Sequence, residues 1–141
     1  MADLLEGIAR HLAAKGLVIY DETGVTGDCF IESMPSSPDT CVVLTVYDDG
    51  REPDSKIGYD EPRMQVRVRG DTDPRTSRRK CAAIRSELHG LGPITLPDGT
   101  ELKLSISLQN APGSMGKDTN GRFEHVCNFR MEHRSVTTHR S

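Results

Sequence analysis

Residues 63–69 constrain the fold more than any other segment, because polar and apolar side chains alternate along the whole stretch. The apolar positions are Met64, Val66 and Val68, and the polar ones are Arg63, Gln65, Arg67 and Arg69. Successive side chains of a strand point to opposite faces of a sheet. The pattern therefore predicts a strand with one face in a core and the other in a polar environment. The almost continuously apolar segment 41–47 predicts a central strand that is covered on both faces.

Two helices are predicted from capping residues and from apolar residues at helical spacing. The first begins after Asp3 and ends at Gly16, and the second begins at Asp73 and ends at Gly90. The apolar stripes consist of Leu4, Leu5, Ile8 and Leu12 in the first helix and of Cys81, Ile84 and Leu88 in the second. Each helix thus has one apolar face to place against a sheet.

The predicted elements follow the order α-β-β-β-α-β-β. This order is typical of an α+β domain, here spanning residues 1–141, in which a mixed or antiparallel sheet has two helices packed on one face. The remaining strands are predicted at 29–31, 102–108 and 123–131. Two segments without periodicity are predicted as long loops, and the chain end as a flexible tail; they are residues 48–62, 110–121 and 134–141.

Composition and charge argue against several classes of function. The net charge is −3, whereas a dedicated nucleic-acid-binding protein usually carries a basic excess that neutralises phosphates. No segment approaches the roughly 20 apolar residues of a membrane span, and the first residues lack the pattern of a signal peptide. We therefore expect a protein that is made in the cytosol, stays soluble and has no membrane partner.

Sequence motifs for catalysis or cofactor binding are incomplete. The segment Gly113–Asp118 resembles a phosphate-binding loop, but it has two residues before its Gly-Lys pair where four are needed. His125 and Cys127 share one face of a predicted strand and could form a metal site or a thiol–base pair. Apolar neighbours on that face favour simple packing instead. The four cysteines form no Cys-x-x-Cys pair and indicate buried thiols in a reducing compartment. We expect no enzyme activity, no cofactor and no metal.

Two groups of basic residues allow two interpretations. One group follows the polar strand face, and the other opens the second helix with Arg75, Arg78, Arg79 and Lys80. These side chains could contact a nucleic-acid backbone, or they could pair with carboxylates of a neighbouring subunit. The absence of aromatic residues beside them weakens an RNA-binding sheet. Pairing between subunits is the favoured interpretation.

The segment Tyr59–Gly70 resembles a known family. It reads Tyr-Asp-Glu-Pro and continues into Gln-Val-Arg-Val-Arg-Gly, as in phage minor capsid proteins with the fold of tail terminators and head-to-tail joining proteins. Further short matches agree in order on both sides. They are Met34-Pro35 and Pro38-Asp39 upstream, and Pro112, Gly116, Asp118, Gly121-Arg122 and Asn128-Phe129 downstream. The resemblance covers almost the whole chain.

This resemblance implies a structural virion protein at the head-proximal end of a phage tail. Such a homo-oligomer would form a sixfold ring that caps the tail tube protein, stops tube polymerisation and offers a surface to a neck or head-completion protein. DNA would pass through the lumen as cargo. The alternatives are another neck or tail component of the same fold, such as a head-closure or tail-tube protein, or a small nucleic-acid-binding module. The family has no catalytic residues to carry over.

We expect the contacts with neighbouring subunits and partners to come from the polar strand face and from the two long loops. Those loops would become ordered only on contact. The candidate residues are Tyr59, Asp60, Arg63, Gln65, Arg67, Arg69, Gly113, Met115, Lys117 and Asp118. The sequence assigns no role to the basic start of the second helix.

Overall fold

A computed structural model describes residues 3–141, and within this range the chain forms two helices and eight strands. The elements in chain order are α1 (Leu4–Ala14), β1 (Cys29–Ile31), β2 (Cys41–Tyr47), β3 (Tyr59–Asp60), β4 (Arg63–Arg69), α2 (Pro74–Leu88), β5 (Ile94–Thr95), β6 (Glu101–Ser107), β7 (Gly113–Lys117) and β8 (Phe123–Arg134). Both helices and the strands β1, β2, β4, β6 and β8 lie where the sequence pattern predicts them.

Both helices begin at a capping aspartate. The Asp3 carboxylate accepts hydrogen bonds from the amides of Leu5 and Glu6, at 3.0 and 3.3 Å. Asp73 accepts from the amide of Arg75 at 3.0 Å, immediately after Pro74 at the first helical position. These bonds satisfy amide groups that have no partner inside the helix. The capping residues read from the sequence therefore fix where each helix starts.

The strands form one mixed sheet in the order β1-β2-β4-β8-β6-β5. The β1–β2 pair is parallel, and the other pairs are antiparallel. The long strand β8 organises the sheet, because it pairs with β4 along one side and with β7 and then β6 along the other. The two-residue strand β3 pairs with the end of β8.

One face of the sheet is covered by both helices. The buried cluster joins the apolar stripes of α1 and α2 to the inward-facing residues of the central strands. Those residues are Val42, Leu44, Met64, Val66, Val68, Cys127, Phe129 and Met131. The structure is thus α+β with two helices on one face of a mixed sheet, and β4 has the apolar and polar faces that its alternation predicts.

The structure corrects the predicted order by adding three short strands. Strands β3, β5 and β7 are absent from the order α-β-β-β-α-β-β. Each forms through pairing with a distant or neighbouring strand, and none shows an apolar alternation of its own. Strand β7 lies inside the predicted loop 110–121, and β3 lies inside the predicted loop 48–62.

The chain end also differs from the flexible tail expected for residues 134–141. The amide of Ser141 donates to the Lys56 carbonyl at 3.0 Å, and the Gly58 amide donates to the Ser141 carbonyl at 3.0 Å. The amide of Ser135 bonds to the Gly58 carbonyl at 2.8 Å. These pairings join the chain end to the segment 56–58, which no local sequence signal could show.

Candidate subunit interface

The sheet face opposite the helices carries a network of polar side chains. On adjacent strands, the Arg67 guanidinium forms an ion pair with Glu124 at 2.5 Å. Nearby, Asn128 Oδ1 accepts from the Tyr47 hydroxyl at 3.0 Å and from Gln65 at 3.5 Å. Gln65 and Arg67 are half-buried. Because these partners come from three strands, the network presents a fixed polar surface, as the alternation of β4 predicts.

Arg69 ends the same strand face but is committed to the interior of the chain. It is only 4% exposed, and its guanidinium donates to the carbonyls of Pro35, Pro38 and Asp39 at 2.7 to 2.9 Å. These three bonds hold the turn before β2 against the sheet. Arg69 was expected to contact a neighbouring subunit, but its donor groups are used inside the chain.

A groove lies at the opposite end of this face, between the loop 48–62 and the ends of β2 and β8. Its volume is about 730 Å³, and Tyr47 and Pro53 form part of its apolar wall. Six carboxylates line it, from Asp48, Asp49, Glu52, Asp54, Asp60 and Glu61. We call it the acidic groove. Arg63, a predicted interface residue, bonds to Asp49 at its rim at 3.2 Å.

Tyr59 and Asp60 form the inner wall of the acidic groove. The Tyr59 hydroxyl lies 2.8 Å from a Glu61 oxygen and 2.6 Å from a Glu132 oxygen. Burial and these two carboxylates raise the pKa of Tyr59 above its usual value. Asp60 accepts from Arg140 at 2.8 Å, and this bond is the main cause of its lowered pKa. Both predicted residues therefore shape the groove through bonds within the chain.

The candidates from the second loop lie on or beside the edge strand β7. Gly113 is paired with Val126 of β8, whereas Met115 and Lys117 are exposed, Met115 by 49%. Asp118 accepts from the amide and guanidinium of Arg122, each at 2.9 Å, and these bonds lower its pKa. Met115 and Lys117 are therefore accessible to a partner, and Asp118 instead holds the turn between β7 and β8.

His125 and Cys127 are placed for packing. His125 Nδ1 lies 2.7 Å from the hydroxyl of the buried Ser77, and burial lowers the pKa of the imidazole. Cys127 is fully buried, and its sulfur lies 3.4 Å from that of Cys81. Among residues 3–141, no group of three or more His, Cys, Asp or Glu side chains is arranged to hold a metal ion. Neither helix in this range has the length and hydropathy needed to span a membrane.

Two arginines outside the predicted set of interface residues, Arg122 and Arg140, organise this surface. Arg122 is 9% exposed and bonds to Asp118, Asp39 and the Ser36 carbonyl. The turn sequence from Asp118 to Arg122 was a usable local signal. Arg140 bonds to Asp60, 80 residues earlier in the chain, and such a distant contact leaves no local signal.

Comparison with known proteins gives a family match for most of the chain. A family model described as bacteriophage tail terminator protein matches residues 11–133, which is well over half of the chain. A search of curated proteins gives no match. The matched region includes all eight strands except the final residue of β8, and it contains the segment Tyr59–Gly70. The resemblance seen in the sequence is thereby confirmed, and the chain belongs to the bacteriophage tail terminator family, whose members are structural proteins of the phage tail.

Proposed function

We propose that this chain forms a sixfold ring at the head-proximal end of the phage tail. The ring would terminate polymerisation of the tail tube and join the tail to the neck. Its partners would be further copies of this chain, the tail tube protein and a neck or head-completion protein, and DNA would pass through its lumen. The location would be the tail or neck of the virion.

The open polar face of the sheet carries this proposal. Both helices pack on the other face, so the network around Arg67 and Asn128 is left for contact with another surface. Fixed charged groups are suited to specifying a partner, because an incorrect alignment leaves them unpaired. Together with family membership, this surface supports an assembling subunit.

The contacts that the candidate residues make within the chain reduce the number of residues that we propose to touch a neighbouring molecule. Gln65 and Arg67 on the open face, and Met115 and Lys117 on the edge strand β7, have surface available to a neighbouring molecule. Tyr59, Asp60, Arg63, Gly113 and Asp118 support these surfaces through bonds inside the chain. Arg69 holds the turn 35–39 and is removed from the proposed interface.

The ring is tested by imaging the purified full-length protein by negative-stain electron microscopy and by measuring its mass by sedimentation. Contacts between two different patches of each subunit close into a ring when the rotation between subunits permits it. We expect closed rings with a central opening, and a sedimenting species larger than a dimer that increases with protein concentration. A protein that forms only dimers at every concentration would contradict the proposal.

A further inference from the structure

The start of α2 presents an exposed basic surface that the interface described above does not use. Arg75, Arg78, Arg79 and Ala82 are all exposed and are spaced three to four residues apart, so they share one face of the helix. We call these four residues the basic face. Arg75 pairs with Asp73 on its own helix. Within residues 3–141, Arg78 and Arg79 form no ion pair.

The acidic groove has the opposite charge. Its carboxylates Asp49, Asp60 and Glu61 are paired with arginines of the chain. By contrast, Asp48, Glu52 and Asp54 are exposed and form no ion pair within residues 3–141. Apolar surface accompanies these three carboxylates, since Tyr47 is 39% exposed in the groove and Ile57 of the same loop is 57% exposed.

The two surfaces lie at opposite ends of the sheet. The groove adjoins the first residue of β4, Arg63, whereas α2 begins at Pro74, five residues after the last residue of β4. Seven residues of strand separate the two ends by about 20 Å. A single chain therefore cannot bring its own basic face into its own acidic groove, whereas two copies arranged head to tail can.

We propose that the basic face of one subunit docks into the acidic groove of the next subunit in the ring. This inference rests on the ring proposed above and assigns one contact within it. Arg78 and Arg79 would pair with Asp48 and Glu52, whose carboxylates form no ion pair within residues 3–141 of their own chain. Each guanidinium can form two parallel hydrogen bonds with a carboxylate. The contact joins two different patches, which is the kind of contact that closes into a ring.

The chemistry of the two surfaces favours this pairing. Arginine carries a long apolar stem, so Arg75 and Arg79 can cover apolar wall while their charged ends reach the rim. A guanidinium also stacks on aromatic rings, and Tyr47 offers one in the groove. Ala82 is small and exposed, which allows the helix to approach the loop closely.

Two charge-reversal variants of the full-length protein test the contact. The first carries Arg78→Glu and Arg79→Glu, and the second carries Asp48→Arg and Glu52→Arg. Each variant alone would place like charges against each other in every contact, and we expect its oligomers to dissociate at protein concentrations at least about tenfold higher than those of the wild type. An equimolar mixture of the two variants restores opposite charges at every contact. We therefore expect the mixture to assemble within about threefold of the wild-type concentration.

The matched control carries Lys15→Glu and Lys103→Glu, which change the net charge as much as the first variant at exposed residues that belong neither to the basic face nor to the lining of the groove. Sedimentation gives the oligomer distribution, and circular dichroism with thermal melting shows that each variant is folded. If each variant alone forms rings at the same protein concentrations as the wild type, this contact is overturned and the ring proposal stands. A mixture of the variants that stays dissociated while the wild type assembles would also overturn this contact. A wild type that does not assemble would overturn the ring proposal itself.

The basic face could instead bind DNA, and the same variants distinguish this case. Binding to phosphates weakens steeply with salt. If the Arg78 and Arg79 reversal abolishes salt-dependent binding to a duplex DNA probe and leaves the rings intact, the basic face serves DNA and the subunit contact is excluded. If the basic face serves the subunit contact, we expect the reassembled mixture of the two variants to bind the duplex DNA probe no more tightly than the control variant does.

Discussion

Arg69 illustrates how one residue can satisfy a surface pattern and serve the interior. It follows the alternation that places Arg67 on the open face, yet its guanidinium is buried against three backbone carbonyls of the turn before β2. Within residues 3–141, these three carbonyls accept no hydrogen bond from a backbone amide. A buried carbonyl that loses its donor costs free energy, so the turn depends on this side chain.

Replacing Arg69 with methionine keeps most of the side-chain volume and removes all three donors. We expect the free energy of unfolding to fall by about 2–4 kcal/mol, because hydrogen bonds from a charged donor are lost and acceptors are left buried. Urea unfolding at low protein concentration measures this value without a contribution from assembly. The control is Arg134→Met on the exposed end of β8, for which we expect a change within about 0.5 kcal/mol. Equal losses in the two variants would show that Arg69 is a surface residue.

The sequence predicts the face of Arg67 and Arg69 but not their separate roles. Alternation fixes which side of a strand a residue occupies, and that prediction is correct for all seven residues of β4. Whether a polar side chain meets solvent or a turn depends on how a segment 30 residues away folds back. The alternation of polar and apolar residues along a strand does not show which distant segment a side chain will contact.

The loop 48–62 and the chain end form one structural unit at the level of elements. Arg140 donates to the carbonyls of Ile57 and Tyr59 and to the Asp60 carboxylate, at 2.8 to 3.0 Å. Backbone bonds between Ser141 and the segment 56–58 complete the connection. The inner wall of the acidic groove is therefore held in place by the last residues of the chain.

Removal of this connection should loosen the groove without unfolding the sheet. In Arg140→Ala we expect the amides of residues 56–60 to exchange hydrogen at least about tenfold faster, because they open locally with fewer bonds to break. Exchange in β2 and β4 should not change. Hydrogen exchange followed by mass spectrometry measures both, and His139→Ala at the exposed neighbouring position is the control. If exchange at residues 56–60 is the same in both variants, the chain end does not order the groove.

Helices and strands in which apolar residues recur at regular spacing were predictable from the sequence. Strands that form only by pairing with another strand were not. Both helices and the longer strands have caps or apolar spacing that act within a few residues. Strand β7 is rich in glycine and mostly exposed, and it exists because it pairs with β8 after a tight turn at Asp118–Gly121. The acidic groove likewise combines the loop 48–62 with residues near the chain end, so only its charge was visible in the sequence.

At the scale of the whole molecule, charge and exposed surface are divided between distinct regions. The helices close one side of the sheet, the opposite side carries the polar network, and the two ends carry opposite charges. A chain with complementary ends can add copies of itself in one direction. This arrangement suits a subunit whose family acts in the phage tail.

Tail length is the most direct test of whether a ring of this chain terminates the phage tail. Electron micrographs of lysates from a phage lacking this chain should show overlong tails that are not joined to heads. Supplying the wild-type chain in the host should restore joined tails of normal length, and the Arg78→Glu, Arg79→Glu variant should restore them far less well. Tails of normal length joined to heads in the absence of the chain would contradict the claim.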